Sequence, residues 1–348
     1  MKFFFVNYFW EGNFANYIAA AFEKNGVSTH TVNIPAFNHW SKKLKLHQLS
    51  SVRTYVDNKR LAESNKKVIE TINQVKPDLL FSFNSSRLFP ETVKTIRDKF
   101  HCKTVCLVAD NPFDSSRNKH FALTLPYFDL ILVGEKMWIP NIRHMAPDSR
   151  IEFTLGAFDP EIFKPIDQNS ISEAERIQLG CDISFTGSAY GEQAEGNYRA
   201  GILGSLSGYN VKIWGDQGWK YREKYYPSLG RAYQGGRLSY DLLLKLFTIS
   251  KINLNMPSPQ VLTAFQPRVF EIAATKGFQI LDYREDLFQC YKDDEIVTFQ
   301  TIPELKEKIN YFLENPEERK RIAEKMYAKT INYHTWEQRV KEYMSIIR

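Results

Sequence analysis

The chain has 348 residues, of which 43% are hydrophobic and 25% charged, a length and composition that suit a globular protein of two ordinary domains and exclude a disordered or fibrous one. No run of about 18 apolar residues occurs, which excludes a transmembrane helix, and Glu11, Gly12 and Asn13 interrupt the apolar opening MKFFFVNYFW too early for a signal peptide. The formal net charge is +6, and the whole surplus falls within residues 1–160, where exposed Lys43, Lys59, Arg60, Lys66 and Lys67 are either a solvated face or a means of steering an anionic partner.

The elements follow in alternation. Lys2–Asn7 reads as a buried strand, 14–24 as an amphipathic helix closed by Asn25-Gly26, and 28–34 as a second strand. Residues 35–50 form a long loop, 58–74 a helix, 78–83 a strand and 90–99 a helix opened by proline. The run 104–109 is a strand followed by the turn Asp110-Asn111-Pro112, and 129–133 is another strand. Cys102 precedes the strand at 104–109 and Cys106 lies within it, and these two with Cys181 and Cys290 are read as reduced thiols of a cytoplasmic protein. Aromatic residues make up 14% of the chain and are expected to pack the core.

The pattern then restarts. Strands are expected at 182–186, 211–214, 252–256, 279–282 and 296–299, with helices at 198–206, 242–250 and 268–275. Three helices close the chain, with Thr301, Asn315 and Thr335 as their N-caps. Helices between buried strands imply parallel sheets. The fold class is therefore α/β, with two Rossmann-like doubly wound domains facing a cleft. Residues 1–156 form the first domain, 170–332 the second, and 333–348 a helix that packs back on the first. Ligands of such sheets sit beyond the carboxyl ends of the strands.

The chain lacks GxGxxG after its first strand, GxxxxGK[ST], HExxH, paired CxxC and GxSxG, so dehydrogenase, P-loop, zinc and serine-hydrolase chemistry find no support. Three features of the second half remain. At Phe185-Thr186-Gly187-Ser188 a strand ends in a turn whose backbone N–H groups suit a phosphate, although such turns also use glycine for purely steric reasons. At Pro267-Arg268-Val269-Phe270-Glu271 a proline-opened helix carries a permanent cation suited to a phosphate. One turn on, its carboxylate is suited to two ribose hydroxyls, with a local i,i+3 ion pair as the plainer reading. The third is the polar turn Tyr283-Arg284-Glu285-Asp286.

These residues resemble a known family. Asp182-Ile183-Ser184-Phe185-Thr186-Gly187-Ser188 and the strand Val211–Trp214 with Gly215 are similar to the donor domain of CgeB-like glycosyltransferases of GT-B architecture. So are Ser250-Lys251-Ile252-Asn253-Leu254-Asn255 and Arg268-Val269-Phe270-Glu271-Ile272-Ala273-Ala274. Lys276 stands where the family carries a small residue before Gly277. Asn315-Pro316-Glu317-Glu318-Arg319 and His334-Thr335-Trp336 resemble its last helices, and Leu155–Pro165 its interdomain segment. Asp110-Asn111-Pro112-Phe113 resembles a turn of its first domain.

The resemblance implies transfer of a sugar from a nucleotide diphosphate sugar, UDP-linked, with no metal cofactor. It implies Glu271 on the ribose and Arg268 near the diphosphate, with Gly187, Ser188 and Gly215 in the donor loops. Many retaining relatives carry a second glutamate eight positions before the ribose glutamate. Thr263 stands there, so stereochemistry stays open. The acceptor falls to the first domain, with Asp110 or Glu11 as general base, Asp114 less suited, and Trp10 and Gly12 as acceptor contacts. Asp110 has a plainer reading as an Asx turn. The acceptor is expected to be a hydroxyl, on an anionic glycan, a polyol phosphate polymer or a modified DNA base. A nucleotide-sugar epimerase and a non-catalytic binding protein are the alternatives on the same scaffold.

Overall fold

The computed structural model describes residues 1–7, 14–34, 50–85, 87–114, 120–191 and 193–347, with the backbone alone for 50–57. Trp10, Glu11, Gly12 and Lys43 lie outside the described residues. The chain divides into two compact units, Met1–Leu155 with Arg339–Arg348, and Gly156–Gln338.

The first unit holds β1 (Lys2–Asn7), α1 (Phe14–Lys24), β2 (Ser28–Asn33), α2 (Ser50–Val75), β3 (Leu79–Phe83), α3 (Pro90–Phe100) and β4 (Lys103–Val108). After these come α4 (His120–Thr124), β5 (Leu130–Val133), α5 (Ile139–Met145) and β6 (Arg150–Phe153). The strands form one sheet in the order β2-β1-β3-β4-β5-β6, and every pairing is parallel. The strand direction of travel reverses between β1 and β3, so the sheet is doubly wound with its switch point there.

Phe3, Phe4, Phe5 and Val6 are all buried, as a strand covered on both faces requires. Phe5 packs on Phe81 at 5.2 Å and on Phe22 at 5.6 Å between ring centroids, so the aromatic content of this unit goes into its core. The helix α2 starts eight residues before the expected Asn58. No glycine or proline interrupts 50–75, and Asp57-Asn58 cost too little to stop a helix already under way. The strand β6 and helix α5 were not expected. Arg150-Ile151-Glu152-Phe153 is an edge strand too short to announce itself.

The second unit holds α6 (Glu173–Leu179), β7 (Ile183–Thr186), α7 (Glu195–Gly204), β8 (Val211–Trp214), α8 (Gly218–Arg222), α9 (Ser228–Ala232), β9 (Tyr233–Gly235), α10 (Tyr240–Ile249) and β10 (Ile252–Asn255). It continues with α11 (Arg268–Ala274), β11 (Gln279–Asp282), β12 (Thr298–Phe299), α12 (Ile302–Glu314) and α13 (Pro316–Tyr333). Its parallel sheet runs β12-β11-β10-β7-β8-β9, with the switch point between β7 and β10. The edge strand β9 went unread for the same reason as β6.

Thr301 caps α12 through the Glu304 N–H. Asn315 does not cap α13 with its side chain; its amide instead donates back to the Tyr311 carbonyl, 2.7 Å away, because its backbone is not in the extended conformation a cap needs. Lys276 adopts a φ of 61°, the left-handed position that closes α11 and explains why a small residue is favoured there.

The last helix, α14 (Trp336–Ile347), spans the boundary. Thr335 and Gln338 form a reciprocal cap at its start. Within the first unit, buried Tyr343 receives a hydrogen bond from Thr154 at 3.3 Å, and Arg150 donates to the Ile346 carbonyl at 3.1 Å. All four cysteines are buried and none forms a disulfide, and burial pushes the Cys106 thiol up to about 12, which leaves it an inert core group. No helix among the described residues is long and apolar enough to cross a membrane.

Candidate functional site

In the second unit the switch point lies between β7 and β10, where a doubly wound sheet opens a crevice at its carboxyl edge. The loops that follow β7, β8, β10 and β11 all emerge on this edge. They carry Ser188, Asp216, Met256 and Arg284, and the helices α7 and α11 that follow two of them carry Arg199 and Glu271.

The glycine turns differ from expectation. The Gly187 N–H donates to the Trp214 carbonyl at 3.0 Å, and the Gly187 carbonyl accepts the Trp219 indole N–H at 3.0 Å. That N–H is therefore already committed to the sheet. A β-carbon on Gly215 would stand 2.0 Å from the Gly187 oxygen, so Gly215 is required by the close approach of two strand ends. Both glycines are explained by packing.

The Ser188 hydroxyl donates to Asp216, whose carboxylate also accepts the Ala189 N–H at 3.0 Å and the Gly218 N–H at 2.7 Å. Burial acts to raise the pKa of Asp216, but these hydrogen bonds outweigh it and hold the carboxylate below its ordinary range. Within this turn the Ser188 N–H donates to no described residue, and it is the turn's one backbone donor left for a ligand.

Arg199 was missed. It is 4% exposed, and its guanidinium spans the switch point. Nη1 donates to the Ser188 carbonyl after β7 at 2.9 Å, and Nη2 to the Met256 carbonyl after β10 at 2.7 Å. Its plane lies over the rings of Phe185 and Tyr190. Among the described residues Nε has no hydrogen-bond partner and no carboxylate pairs with the guanidinium within 4 Å. Burial disfavours its charge, and Tyr190, Asp282 and Asp216 only partly restore it. A buried cation with no paired acid, held at the ligand-binding edge of the sheet, is a group that an anion would neutralise. Tyr190 beside it adopts a φ of 57°, a strained conformation for a non-glycine residue.

On α11, Arg268 and Glu271 come together as expected. Arg268 Nη1 lies 3.1 Å from Glu271 Oε2, but the contact lacks hydrogen-bond geometry, and Nη1 remains a buried donor with no partner. Glu271 is 7% exposed and accepts no hydrogen bond from any described residue. Burial raises its pKa above the ordinary glutamate value, with Arg268 and then Arg237 opposing the rise. Buried carboxylates normally hold several donors. One with none is suited to a ligand that brings hydroxyl groups.

The turn after β11 is occupied. Arg284 pairs with Asp282 at 3.0 Å and donates to the Val261 carbonyl at 3.0 Å. Asp286 is fully buried and accepts the Thr263 hydroxyl at 3.2 Å, so the position eight residues before Glu271 is tied to a carboxylate by a hydrogen bond. Asp110 and these donor residues belong to different units.

In the first unit, Asn84 follows β3 with a φ of 47°. Its Oδ1 accepts the Ala109 and Asp110 N–H groups at 2.8 and 3.2 Å, and its amide donates to Asp110 Oδ2 at 2.8 Å. Asn84 thus holds the Asp110 carboxylate at the carboxyl edge. The Asx turn is made by Asn111, which accepts the Phe113 N–H at 2.9 Å, so Asp110 is not needed for that. Asn84 gave no signal of its own in the sequence because its partners lie 25 and 26 residues away.

A family model described as glycosyl transferase-like matches residues 199–345. No curated protein is a significant match to the sequence. Solved structures are similar over the full length. Sucrose-phosphate synthase from Thermosynechococcus elongatus superposes with a TM-score of 0.70 at 10% identity, covering 99% of this chain and 98% of that one. HepE from Anabaena in complex with UDP-glucose gives 0.66 at 13% identity, covering 99% and 100%. The UDP-forming trehalose-phosphate synthase of Burkholderia xenovorans gives 0.67 at 12% identity, covering 99% and 98%. The two six-stranded parallel sheets with their helices are those of the GT-B fold.

Proposed function

We propose that this protein transfers a hexose or pentose from a nucleotide diphosphate sugar, UDP-linked, to an acceptor hydroxyl, in the manner of CgeB-like glycosyltransferases. The observation that carries the reading is Glu271, a buried carboxylate without a hydrogen-bond donor, beside a buried guanidinium nitrogen of Arg268 that lacks an acceptor. A ribose diol supplies two donors to the first and a diphosphate supplies an acceptor to the second. Arg199 adds a buried cation at the switch point. The match of residues 199–345 to the glycosyl transferase-like family and the UDP-glucose bound to HepE support the same reading.

In this reaction the acceptor oxygen attacks the anomeric carbon, the bond to the diphosphate breaks, and negative charge grows on the leaving phosphate. Arg199, Arg268 and the Ser188 N–H meet that charge with fixed dipoles and cations, so no metal is required. Asp110, oriented by Asn84, takes the acceptor proton in an inverting course.

A thermal-shift and calorimetric panel of nucleotides and their sugars, run with and without EDTA, tests the reading. We expect one nucleoside diphosphate to bind equally well in both conditions; loss of binding on chelation would overturn the metal-free part, and no binding at all the whole. Binding should also release protons. Ribose hydroxyls stabilise the charged form of Glu271, whose pKa burial has raised, so affinity should fall as the pH drops toward its ordinary value of 4.5. Titration in buffers of different ionisation enthalpy measures that release.

The acceptor is proposed to be anionic. Lys59, Arg60 and Lys67 stand exposed on α2, and Lys66 lies 3.9 Å from Glu70 with both side chains largely solvated. Each phosphate contact adds to the salt slope of binding. Affinity for duplex DNA and anionic glycans should fall steeply between low and moderate salt, and equal affinity for a neutral glycan would reduce this face to a solvated surface.

A further inference from the structure

Asp282, the last residue of β11, is 5% exposed. Its Oδ2 accepts the Tyr198 hydroxyl at 2.7 Å and faces Arg284 Nη2 at 3.0 Å. Arg284 is itself pinned by its bonds to the Val261 and Tyr283 carbonyls. The other oxygen, Oδ1, accepts from no described residue, although a carboxylate has room for about four donors. Tyr198 belongs to α7, which follows β7, whereas Asp282 ends β11, on the far side of β10. The Tyr198–Asp282 bond therefore joins elements that flank the switch point, and the residue next to Tyr198 is Arg199, which senses the Asp282 charge.

A purely structural ion pair would be complete with Arg284 alone. Here a second, 41% exposed side chain is drawn in, and both donors crowd onto one oxygen, leaving the other open. Burial, then Asp282, pushes the Tyr198 hydroxyl up to about 12, so it stays a proton donor at any physiological pH. The arrangement fixes one edge of a carboxylate and presents the other.

We propose that Asp282 reads the transferred sugar, its free oxygen accepting sugar hydroxyl groups while Tyr198 and Arg284 act as positioning residues. This rests on the donor reading above. Carboxylates accept from neighbouring hydroxyls of a sugar with charge-assisted bonds, and such bonds strongly separate ligands that have the hydroxyl from those that lack it. Asp282 is thus a specificity-determining group for the sugar, separate from Glu271 on the nucleoside.

The test is calorimetric titration of wild type, Asp282→Asn and Tyr198→Phe with UDP and with UDP-glucose, or with the pair that the nucleotide panel selects. The quantity read is the ratio of the two affinities, because a structural defect weakens both ligands together. Asp282→Asn should leave the bare nucleotide within about twofold of wild type and shift the ratio against the sugar nucleotide about tenfold. Tyr198→Phe, which removes one hydroxyl and keeps the ring, should shift it about threefold in the same direction. Variants that bind the nucleotide normally with the wild-type ratio overturn the assignment and leave the donor reading standing. If Asp282→Asn does not fold, the Tyr198→Phe ratio decides. Wild type that binds no nucleotide removes the donor reading, and this one with it.

Discussion

Asp110→Asn should cut kcat by roughly 10²–10⁴-fold with little change in donor affinity. The acceptor proton moves only in the transition state, so a lost base appears in kcat rather than in binding. The substitution leaves the turn intact. Asn84 Oδ1 holds the backbone N–H groups of Ala109 and Asp110, an amide oxygen in place of the carboxylate can still accept from the Asn84 amide, and Asn111 closes the Asx turn. Steady-state kinetics with the donor identified by the nucleotide panel provide the measurement. A wild-type kcat would remove Asp110 as base. It would leave either Glu11 or a retaining course in which the leaving phosphate takes the proton.

Glu271→Gln should do the reverse, raising the donor KM by the equivalent of about 1–3 kcal/mol while kcat changes little. The ribose lies far from the reacting carbon, and its contact is the same in ground and transition states. Glutamine keeps one acceptor oxygen but loses the charge. The effect on stability separates this reading from a plain helix ion pair. Burial raises the pKa of Glu271, so its ionised form destabilises the fold at neutral pH. That penalty shrinks as the pH falls below the raised value, where the folded group protonates, and is gone below the ordinary 4.5. Glu271→Gln should therefore melt no lower than wild type while binding the nucleotide worse. A variant that loses several degrees of Tm and keeps its nucleotide affinity would make the Arg268–Glu271 contact structural. Arg268 keeps enough solvent access to stay hydrated without its partner.

Much of this protein is local and could be read directly from its residues. The run Phe3-Phe4-Phe5-Val6 specifies a strand covered on both faces wherever it lies, because nothing else accommodates four successive large apolar side chains. Thr301 and Thr335 cap their helices because a hydroxyl needs only an N–H three residues on. Arg268 and Glu271 share one helical turn, so their meeting followed from spacing alone. These determined two doubly wound units and the centre of the donor reading.

What the tertiary structure decided rests on contacts between distant residues. Strand order put β7 beside β10, and only that pairing gives Arg199 its two carbonyls, 11 and 57 residues away, and its place at the switch point. Gly187 looked like a phosphate turn and Gly215 like a donor-loop residue, yet the Gly187 N–H is bonded to Trp214 and a β-carbon on Gly215 would stand 2.0 Å from the Gly187 oxygen, relations no pattern within one strand contains. Asn84 reaches Asp110 across 26 residues, and Tyr198 reaches Asp282 across 84. Local propensity sets which residues form strands and helices, because each such bond lies within a few residues. Which buried charge is left without its partner is decided by the sheet, because burial and pairing depend on what every other strand brings beside it.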